Sequence, residues 1–537
     1  MASNSAGDLF QRNATGLLRG WSVWDGFIYA TFSINLITLG LFIFSSAPSI
    51  PDGSLIFAII LSGLYLILQA ITYASLIAVM PRAGGDYVWM SRILGGGIGF
   101  VLAIAGWWFI LWHWVPIYAN ILNIEVIVPL ATILGLSSVA DFFGQPAGVF
   151  TASMIVAALA SVLISIGMRA YARIQKVCFY GGLVGLALML ILLIVYSNAD
   201  FIAAFNDKAQ GLLGAQGDVY WETIQAGTVE TAHIGGTALG PTLLLIPLLV
   251  FFNLWSNWGA TLYGEVRGAS DFRKNIYAMG GALVVTTIVA VIMLLLFYKT
   301  FGWTFYYAAN NAYLAQTAGE LESAPLPVWP YPGLLAAFLF DSPVLQFILV
   351  GLLSLWFFGW VGTVFLSSTR VVFATAFDRL LPEWVSRTTR NGVPYAALLL
   401  MLIPSIPISY LYAFSENFAT YTLDAVLVIS LTFLGSAIAA AVLPWRKPEI
   451  YNASPIAHYN VLGIPLITVS AGLFIVFLIF CLYQWITRDV YSVNNPQSLL
   501  YMLVLYAVAI VIYVGFRLFR RSQGINLNMV YDEIPEE

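Results

Sequence analysis

Twelve long runs of apolar residues divide this chain and leave few places for a charged side chain. Hydrophobic residues make up 60% of the sequence and charged residues 9%, whereas about a quarter of a soluble domain is charged. A helix needs about 20 apolar residues to cross a hydrocarbon core about 30 Å thick. The runs predict an all-α integral membrane protein with 12 transmembrane helices, over residues 24–44, 55–80, 97–122, 148–168, 177–196, 241–263, 278–298, 344–369, 395–414, 423–444, 462–485 and 499–519.

The positive charges are segregated to one side of these runs. With the N-terminus placed inside, only Lys208, Lys299 and Arg488 fall outside, and the other 19 of the 22 Lys and Arg residues are internal. Because Lys and Arg bias sets the orientation of membrane helices, we predict a multi-pass protein of the cell membrane with both termini in the cytoplasm. The inner cations are Arg12, Arg19, Arg82, Arg92, Arg169, Arg173, Lys176, Arg267, Arg273, Lys274, Arg370, Arg379, Arg387, Arg390, Arg446, Lys447, Arg517, Arg520 and Arg521.

Polar interruptions in the first and sixth runs, together with a family resemblance described below, predict the domain organisation. Ten helices form a core of two five-helix repeats with opposite membrane orientation, and two further helices follow. Two long outer connections are rich in Asp and Glu. The parts are a cytoplasmic tail 1–20, a core 21–443 with repeats 21–198 and 241–443, outer loops 199–240 and 301–341, and a region 444–537 that holds helices eleven and twelve and a cytoplasmic tail.

Several other classes of protein are not indicated. Cys178 and Cys481 both fall inside apolar runs, so neither a disulfide framework nor a metal cluster is predicted. The sequence has no nucleophile–base arrangement and no phosphate-binding glycine loop. It also lacks the basic, aromatic-interleaved surface of nucleic-acid-binding proteins. We therefore predict no enzyme activity, no nucleic-acid partner and no cofactor other than a coupling ion.

Polar side chains interrupt the first and sixth runs near their middles. These two runs are equivalent members of the inverted repeats, and interrupted helices at matching positions indicate a transporter binding site at the midplane. The alternative is that the polar groups only bond neighbouring helices. The predicted substrate-binding residues are Thr31, Ser33 and Asn35 in the first run and Asn253, Trp255, Ser256 and Asn257 in the sixth.

The inner connections contain four recognisable segments. They read Met80-Pro-Arg-Ala-Gly-Gly-Asp-Tyr-Val-Trp-Met-Ser-Arg92, Gly264-Glu-Val-Arg-Gly-Ala-Ser-Asp-Phe-Arg-Lys-Asn-Ile276, Phe377-Asp-Arg-Leu-Leu-Pro382 with Asn391-Gly-Val-Pro-Tyr-Ala-Ala-Leu398, and Pro444-Trp-Arg-Lys-Pro-Glu449. In order and position, they resemble the inner loops of amino acid–polyamine–organocation (APC) superfamily permeases. The resemblance implies a leucine-transporter-like 5+5 inverted-repeat fold plus two extra helices. It also implies alternating access between a bundle (helices one, two, six and seven) and a scaffold (three, four, eight and nine).

These inner segments also carry carboxylates next to the arginines at the helix ends. Asp86, Glu265 and Asp378 are available as ion-pair partners on this side. Salt bridges that close an inner gate are one interpretation, and simple anchoring of the topology is the alternative.

Three departures from that family weaken a prediction of its usual substrate and coupling. The family has a glycine-rich break in helix one, whereas this chain reads Thr31-Phe-Ser-Ile-Asn35. Where the family has Gly-Phe-Asp in helix six, this chain has Trp255-Ser-Asn257. Proton-linked relatives can carry a lysine in helix five at the position of Gly182. An amino acid or a small amine remains the predicted substrate.

Aromatic residues of the third and eighth runs are candidates for the wall of the site. Trp108 and Trp112 are four residues apart and share a helix face, and either is suited to attract a substrate ammonium by cation–π interaction. Trp356, with Gly359 and Trp360, is predicted to complete the wall. The alternative is that these rings pack between helices or anchor membrane interfaces.

The identity of a coupling ion stays open. Thr363, Ser367 and Ser368 carry hydroxyls suited to a sodium site, although hydroxyls in membrane helices also bond back to backbone or to neighbours. Proton coupling through His113 or Glu125 is equally open, and so is exchange without any coupling ion.

Taken together, these features predict a secondary active transporter of amino acids or related small organic amines. Two rival functions belong to different classes: a solute sensor or receptor on a transporter fold, and a membrane scaffold for an extracellular assembly. The first is motivated by the altered break residues and the second by the long outer connections. The oligomeric state is left open.

Overall fold

A computed structural model gives the fold over residues 17, 20–227, 238–415, 418 and 424–532. In this part of the chain, 12 helices are long and apolar enough to cross a membrane, as the sequence predicted. We number these helices as spans one to twelve. Their bounds are Val23–Phe44, Leu55–Val79, Gly96–Ile133, Pro146–Ser165, Met168–Val195, Leu239–Glu265, Phe272–Thr300, Pro343–Phe377, Tyr395–Phe414, Asp424–Arg446, Leu466–Thr487 and Pro496–Ser522.

Shorter elements connect the spans. Several spans are longer than predicted; span three, for example, continues past the polar residues Asn123 and Glu125 into a second apolar stretch and ends at Ile133. The connecting helices are Gly85–Ile93, Ser137–Phe143, Asn198–Leu213, Val219–Gly227, Trp303–Thr317, Pro332–Ala337, Pro448–Asn452 and Asn528–Asp532, with 3-10 turns at Ala47–Ser49, Glu383–Ser386 and Asp489–Tyr491. The strands Asn460–Val461 and Ile464–Pro465 pair in an antiparallel hairpin.

The packing of the spans separates two groups. Span two packs against spans six, seven and eleven, and span one packs against spans six and seven. Span four packs against spans three and nine, and span eight packs against span five. Spans one, two, six and seven of the first group are the bundle that the family resemblance implied; span eight also packs against the 3-10 part of span six. Only 17% of the apolar window of span twelve is buried, so this helix lies at the edge of the protein.

The two ends of the helix assembly differ in charge. We call the end that holds Arg92, Arg370 and Arg379 the basic face, and the opposite end, with the connections after spans five and seven, the acidic face. On the acidic face, the connecting helices form one packed layer, in which the rings of Tyr220 and Phe305 stack with centroids 4.5 Å apart. These outer connections are therefore folded where the structure describes them. Residues 228–237 and most of the tail 1–20, including Arg12 and Arg19, lie outside the described residues.

Candidate functional site

Span one is broken in its middle by an asparagine. Its first helix, Val23–Ile34, ends at Asn35, whose backbone is left-handed at φ 46° and ψ 79°. Asparagine is one of the few residues other than glycine that adopt this conformation readily. The Asn35 side-chain oxygen then accepts a hydrogen bond from the Thr38 amide at 3.3 Å, and a π turn, Leu36–Gly40, follows. Asn35 thus forms the bend for which the family uses glycine.

Span six changes its helix type near the same depth. The α-helix Leu239–Asn253 passes directly into a 3-10 helix, Leu254–Glu265. Long 3-10 stretches within a helix often mark a hinge. Span two holds the transition, because the Gln69 amide donates to the Leu254 carbonyl at 2.8 Å. The predicted interruption of span six is therefore a tightening of the helix and not an open loop, since no described residue of this span has a left-handed backbone.

A small cavity lined by buried residues lies where spans one, three, six and eight meet. Its volume is about 10 Å³, which is room for about one water molecule. An amino acid does not fit, so the helices are closed around this point. Its lining residues are Ser33, Trp114, Trp255, Trp258, Trp360, Thr363 and Val364.

Four indole rings make most of the cavity wall. Trp114 packs at nearly right angles against Trp255 and Trp360, with centroids 6.1 Å apart in both pairs. Trp255 and Trp258 are 5.2 Å apart at 88°. Edge-to-face contacts of this kind stabilise each pair by about 0.5–1.5 kcal/mol beyond area burial. Spans three, six and eight are therefore joined by one aromatic cluster around the cavity.

Buried polar atoms without hydrogen bonds of normal geometry cluster beside this aromatic wall. They include the Ser256 hydroxyl, both polar atoms of the Asn257 amide, and the indole nitrogens of Trp114 and Trp258. An unsatisfied buried group costs about 1–3 kcal/mol, so each such group needs an explanation. A polar ligand that bonded several of them would offset this cost.

Two of the predicted polar residues of span one bond within their own helix. The Thr31 hydroxyl donates to the Phe27 carbonyl at 2.9 Å, and the Ser33 hydroxyl donates to the Tyr29 carbonyl at 2.8 Å. Ser33 also lines the cavity. In span six, Asn253 donates to the Ser62 hydroxyl at 2.7 Å. Ser33 and Trp255 thus both line the cavity, and Ser256 and Asn257 follow Trp255 in the same 3-10 segment. Thr31 bonds within span one, and Asn253 bonds span two.

The predicted aromatic wall requires a correction. Both Trp108 and Trp112 donate to the Leu400 carbonyl of span nine, at 2.9 and 3.3 Å, and neither lines the cavity. Span three contains a π turn at Ala105–Phe109 and a 3-10 turn at Ile110–His113. These turns shift the rotation of the helix, so Trp114 faces the cavity instead.

Trp356 also lies outside the cavity wall. Its indole donates to the Gly182 carbonyl of span five at 2.9 Å, and its ring packs edge-on against Phe32 at 5.5 Å. Its carbonyl accepts from the Asn35 amide at 3.3 Å. Trp356 therefore connects the break in span one to spans five and eight, and it covers the position at which proton-linked relatives can carry a lysine.

The hydroxyls predicted for sodium bond to protein groups. The Tyr29 hydroxyl donates to the Thr363 carbonyl at 2.5 Å and lies 2.6 Å from the Ser367 hydroxyl. Ser367 in turn donates to the Trp258 carbonyl at 2.8 Å, and Ser368 donates to the Trp107 carbonyl. Thr363 and Ser367 of span eight are thus both bonded to Tyr29 of span one.

Comparison with known proteins settles the family. A family model described as "Amino acid permease" matches residues 25–514, nearly the whole chain. This chain belongs to the amino acid permease family. Two relatives, each named "Asc-type amino acid transporter 1", come from mouse and rat. Both are 25% identical over 442 residues, which cover 78% of this chain and 69% of each relative.

On the basic face of this permease, the spans are tied together by buried ion pairs. The Arg370 guanidinium of span eight donates to both oxygens of Glu265 in span six, at 2.7 and 3.1 Å, and both side chains are almost fully buried. Arg92 pairs in the same two-pronged way with Asp378. Two of the three carboxylates that the sequence offered as ion-pair partners therefore hold arginines.

Sequence reasoning missed several residues of the permease site. Tyr29 and Gln69 lie at its edges, and Trp114, Trp258 and Val364 line the cavity. Trp258 follows directly after Asn257, so its position next to a predicted site residue was a usable signal. Tyr29 gave no such signal, because a tyrosine inside an apolar run is equally typical of packing.

Proposed function

We propose that this protein is a secondary transporter that moves an amino acid or a related small amine across the cell membrane by alternating access, with both termini in the cytoplasm. The observation that carries the proposal is the small cavity, lined by buried residues, between the bend of span one and the 3-10 segment of span six. Interrupted helices that meet at a cavity are the usual arrangement of a transporter site. Family membership and the printed names of the relatives support the substrate class.

The groups at the cavity are suited to both ends of an amino acid. The helix Val23–Ile34 ends there, and the C-terminal end of a helix attracts cations, so a substrate ammonium belongs near Ser33. The indole faces add cation–π attraction. The carboxylate would accept hydrogen bonds from the Ser256 hydroxyl, the Asn257 amide and the Trp258 indole, which are otherwise unsatisfied. Thr31, Asn35 and Asn253 would hold the bends that present these groups.

Substrate entry requires the helices to separate. A cavity of about 10 Å³ is far below the roughly 300 Å³ of the smallest typical ligand pockets. Opening toward the basic face must break the contact between Glu265 and Arg370, because it joins a bundle span to a scaffold span. The Tyr29 contacts with Thr363 and Ser367 also cross between bundle and scaffold, so they are candidates for rearrangement in the same step.

Uptake into liposomes tests the proposal. Purified protein is reconstituted, and entry of a mixture of radiolabelled L-amino acids is compared with entry into protein-free liposomes. Trp114→Phe should reduce uptake at least tenfold, because it removes an indole of the cavity wall and its N–H donor. The matched control, Trp112→Phe, removes an indole that lies against span nine and should leave uptake within about twofold.

Three outcomes would count against the proposal. Equal losses of uptake in Trp114→Phe and Trp112→Phe would show that the cavity wall has no special role in transport. Ligand binding without uptake would indicate a solute sensor on a transporter fold. A co-purified external partner that is lost when residues 210–227 are trimmed, with no uptake, would indicate a scaffold.

A further inference from the structure

Asp86 differs from the other buried carboxylates of the basic face. It lies in the helix Gly85–Ile93, which joins spans two and three, and its side chain is fully buried. Glu265 and Asp378 each pair with an arginine on this face. In the described part of the chain, no lysine or arginine pairs with Asp86. A buried carboxylate without a cation favours its protonated form.

The contacts of Asp86 connect it to span two of the bundle and to span ten. One carboxylate oxygen accepts hydrogen bonds from the Tyr73 hydroxyl of span two and the Ser436 hydroxyl of span ten, both at 2.6 Å. The other oxygen has no hydrogen bond of normal geometry, although the Trp107 indole lies beside it. The Asn257 amide faces the Tyr73 hydroxyl. One hydroxyl group therefore separates Asp86 from the residue next to the cavity wall.

Two arginines near Asp86, Arg92 and Arg370, are each paired with another carboxylate. The helix Gly85–Ile93 packs against spans three, eight and ten, the 3-10 segment of span six and the helix Asn528–Asp532. Among the described titratable side chains, Tyr73 is the one that bonds the Asp86 carboxylate. The titratable and charged groups on this helix and the surrounding elements are Tyr87, Arg92, His113, Tyr118, Glu125, Tyr263, Glu265, Arg370, Asp424, Arg446, Tyr531 and Asp532, with Asp378 directly after span eight. Among these, Arg92 and Arg370 already hold carboxylates.

Glu125 and His113, the two residues that the sequence offered for proton coupling, do not have the contacts to the 3-10 segment of span six that the Asp86 region has. Glu125 lies in the π turn Asn123–Ile127, which packs against span eight and the helix Ser137–Phe143. The His113 ring bonds the Tyr501 hydroxyl of span twelve at 2.6 Å. Neither residue borders the 3-10 segment of span six, whereas the Gly84 amide, two residues before Asp86, donates to the Thr261 carbonyl of that segment at 2.9 Å.

We propose that Asp86 is a proton-binding site that couples substrate movement to proton movement, a proposal that rests on the transport function proposed above. When the acidic face opens, water reaches the Tyr73 oxygen and gives it a proton, while the Tyr73 hydroxyl proton moves to Asp86. When the 3-10 segment of span six swings away on the basic face, Asp86 becomes hydrated and returns one proton to water. The Ser436 bond holds Asp86 to span ten, and the pair between Arg92 and Asp378 holds the helix Gly85–Ile93 to the end of span eight.

The electrostatics of the closed state agree with this role. Burial raises the pKa of the Asp86 carboxyl to about 6, against the opposing hydrogen bonds from Ser436 and Tyr73. Hydration on opening would remove the burial effect and lower the pKa toward the ordinary carboxyl value, near 4. The closed state therefore binds the proton more tightly than the basic-face-open state, which is the difference that coupling requires.

The test uses liposomes that contain a pH-sensitive dye, with an exterior one pH unit more acidic than the lumen. Wild-type protein should accumulate radiolabelled L-amino acids by up to about tenfold and should acidify the lumen as they enter. Asp86→Asn keeps the acceptor for Tyr73 and Ser436 but binds no proton. It should exchange substrate across the membrane with neither accumulation nor acidification. Asp271→Asn, which changes an exposed carboxylate of the same face, should behave as wild type.

Two outcomes separate this proposal from the transport function. Uptake without lumenal acidification in wild type would overturn proton coupling. Acidification that survives Asp86→Asn would overturn the assignment of coupling to Asp86. Both outcomes leave transport intact. A second measurement is independent of uptake. Because the folded pKa of Asp86 is raised, its stabilising effect is full below about pH 4 and is lost as pH rises through about 6. The unfolding temperature of wild type relative to Asp86→Asn should therefore fall between pH 4.5 and 7, and a constant difference would refute the proton site.

Discussion

The ion pair between Glu265 and Arg370 gives the sharpest prediction about conformational change. Both side chains are shielded from water, with 1% and 0% of their side-chain surfaces accessible. Glu265→Gln leaves the arginine charge buried and uncompensated. Breaking a buried pair by removing one partner costs about 3–5 kcal/mol, and this cost applies only while the basic face is closed, since water solvates Arg370 once it opens.

The size of the shift follows from this cost. Glutamine still offers a hydrogen-bond acceptor, so we take the lower end of the range, about 3 kcal/mol. Each 1.4 kcal/mol changes an equilibrium tenfold. The ratio of basic-face-open to closed protein should therefore rise by roughly 100-fold.

Labelling of a cysteine placed behind the pair measures this ratio. Ala260 is buried in the 3-10 segment of span six, beside Gly85, so Ala260→Cys reports opening on the basic face. The native cysteines, Cys178 and Cys481, are both buried and supply the background rate. Maleimide labelling of Ala260→Cys should accelerate by roughly 100-fold in the Glu265→Gln background, up to the limit set by the fully open protein.

A matched variant separates opening from general destabilisation. Asp378→Asn also leaves a buried arginine, Arg92, without its carboxylate. Arg92 lies just before span three and Asp378 just after span eight, so this pair joins two scaffold segments and does not cross to the bundle. This variant should lower thermal stability by a similar amount without accelerating labelling. If both variants accelerate labelling equally, or if neither does, the Glu265 pair does not control access and the reasoning fails.

Three further predictions concern the bend and the contacts around it. Asn35→Gly should be tolerated, whereas Asn35→Ala should lower stability by about 1–2 kcal/mol in a thermal-unfolding assay, because alanine in a left-handed conformation is strained; equal effects would contradict this. Tyr29→Phe should lower the free energy of unfolding by about 0.5–1.5 kcal/mol through the loss of a buried hydrogen bond; an unchanged free energy would contradict this. Because the Tyr29 hydroxyl bonds groups predicted for sodium, replacing sodium with potassium should leave wild-type uptake unchanged, and sodium-dependent uptake would contradict that expectation. Gly182→Ala should reduce uptake, because its Cβ would lie 2.8 Å from the Trp356 indole nitrogen, and normal uptake would show that Trp356 has room to move.

The fold was predictable because membrane helices are encoded by composition. Each span is visible in the sequence as an apolar run, and the segregation of Lys and Arg fixes which connections share a face. The inner carboxylates Glu265 and Asp378 were predictable for a similar reason, since charged residues at helix ends in a basic environment find partners. These features depend on the sequence locally, over one span or one connection.

The cavity wall was not predictable from spacing alone. The assumption that Trp108 and Trp112 share a face holds for a regular α-helix, but span three passes through π and 3-10 turns that rotate later residues. Of the predicted residues, Ser33 and Trp255 line the cavity; the polar residues around them drew attention because polar groups in a span need partners. Trp114 was passed over, because which indole faces the centre is decided by packing across four spans.

The asparagine at the centre of span one has a consequence for the energetics of each transport cycle. A glycine at this point would leave the chain free to sample many backbone states whenever its contacts loosen. The Asn35 side-chain oxygen instead accepts a hydrogen bond from the Thr38 backbone amide, so the bend does not depend on a bound substrate. The conformational entropy of this bend is therefore lost when the protein folds, and a substrate does not have to order the bend when it binds.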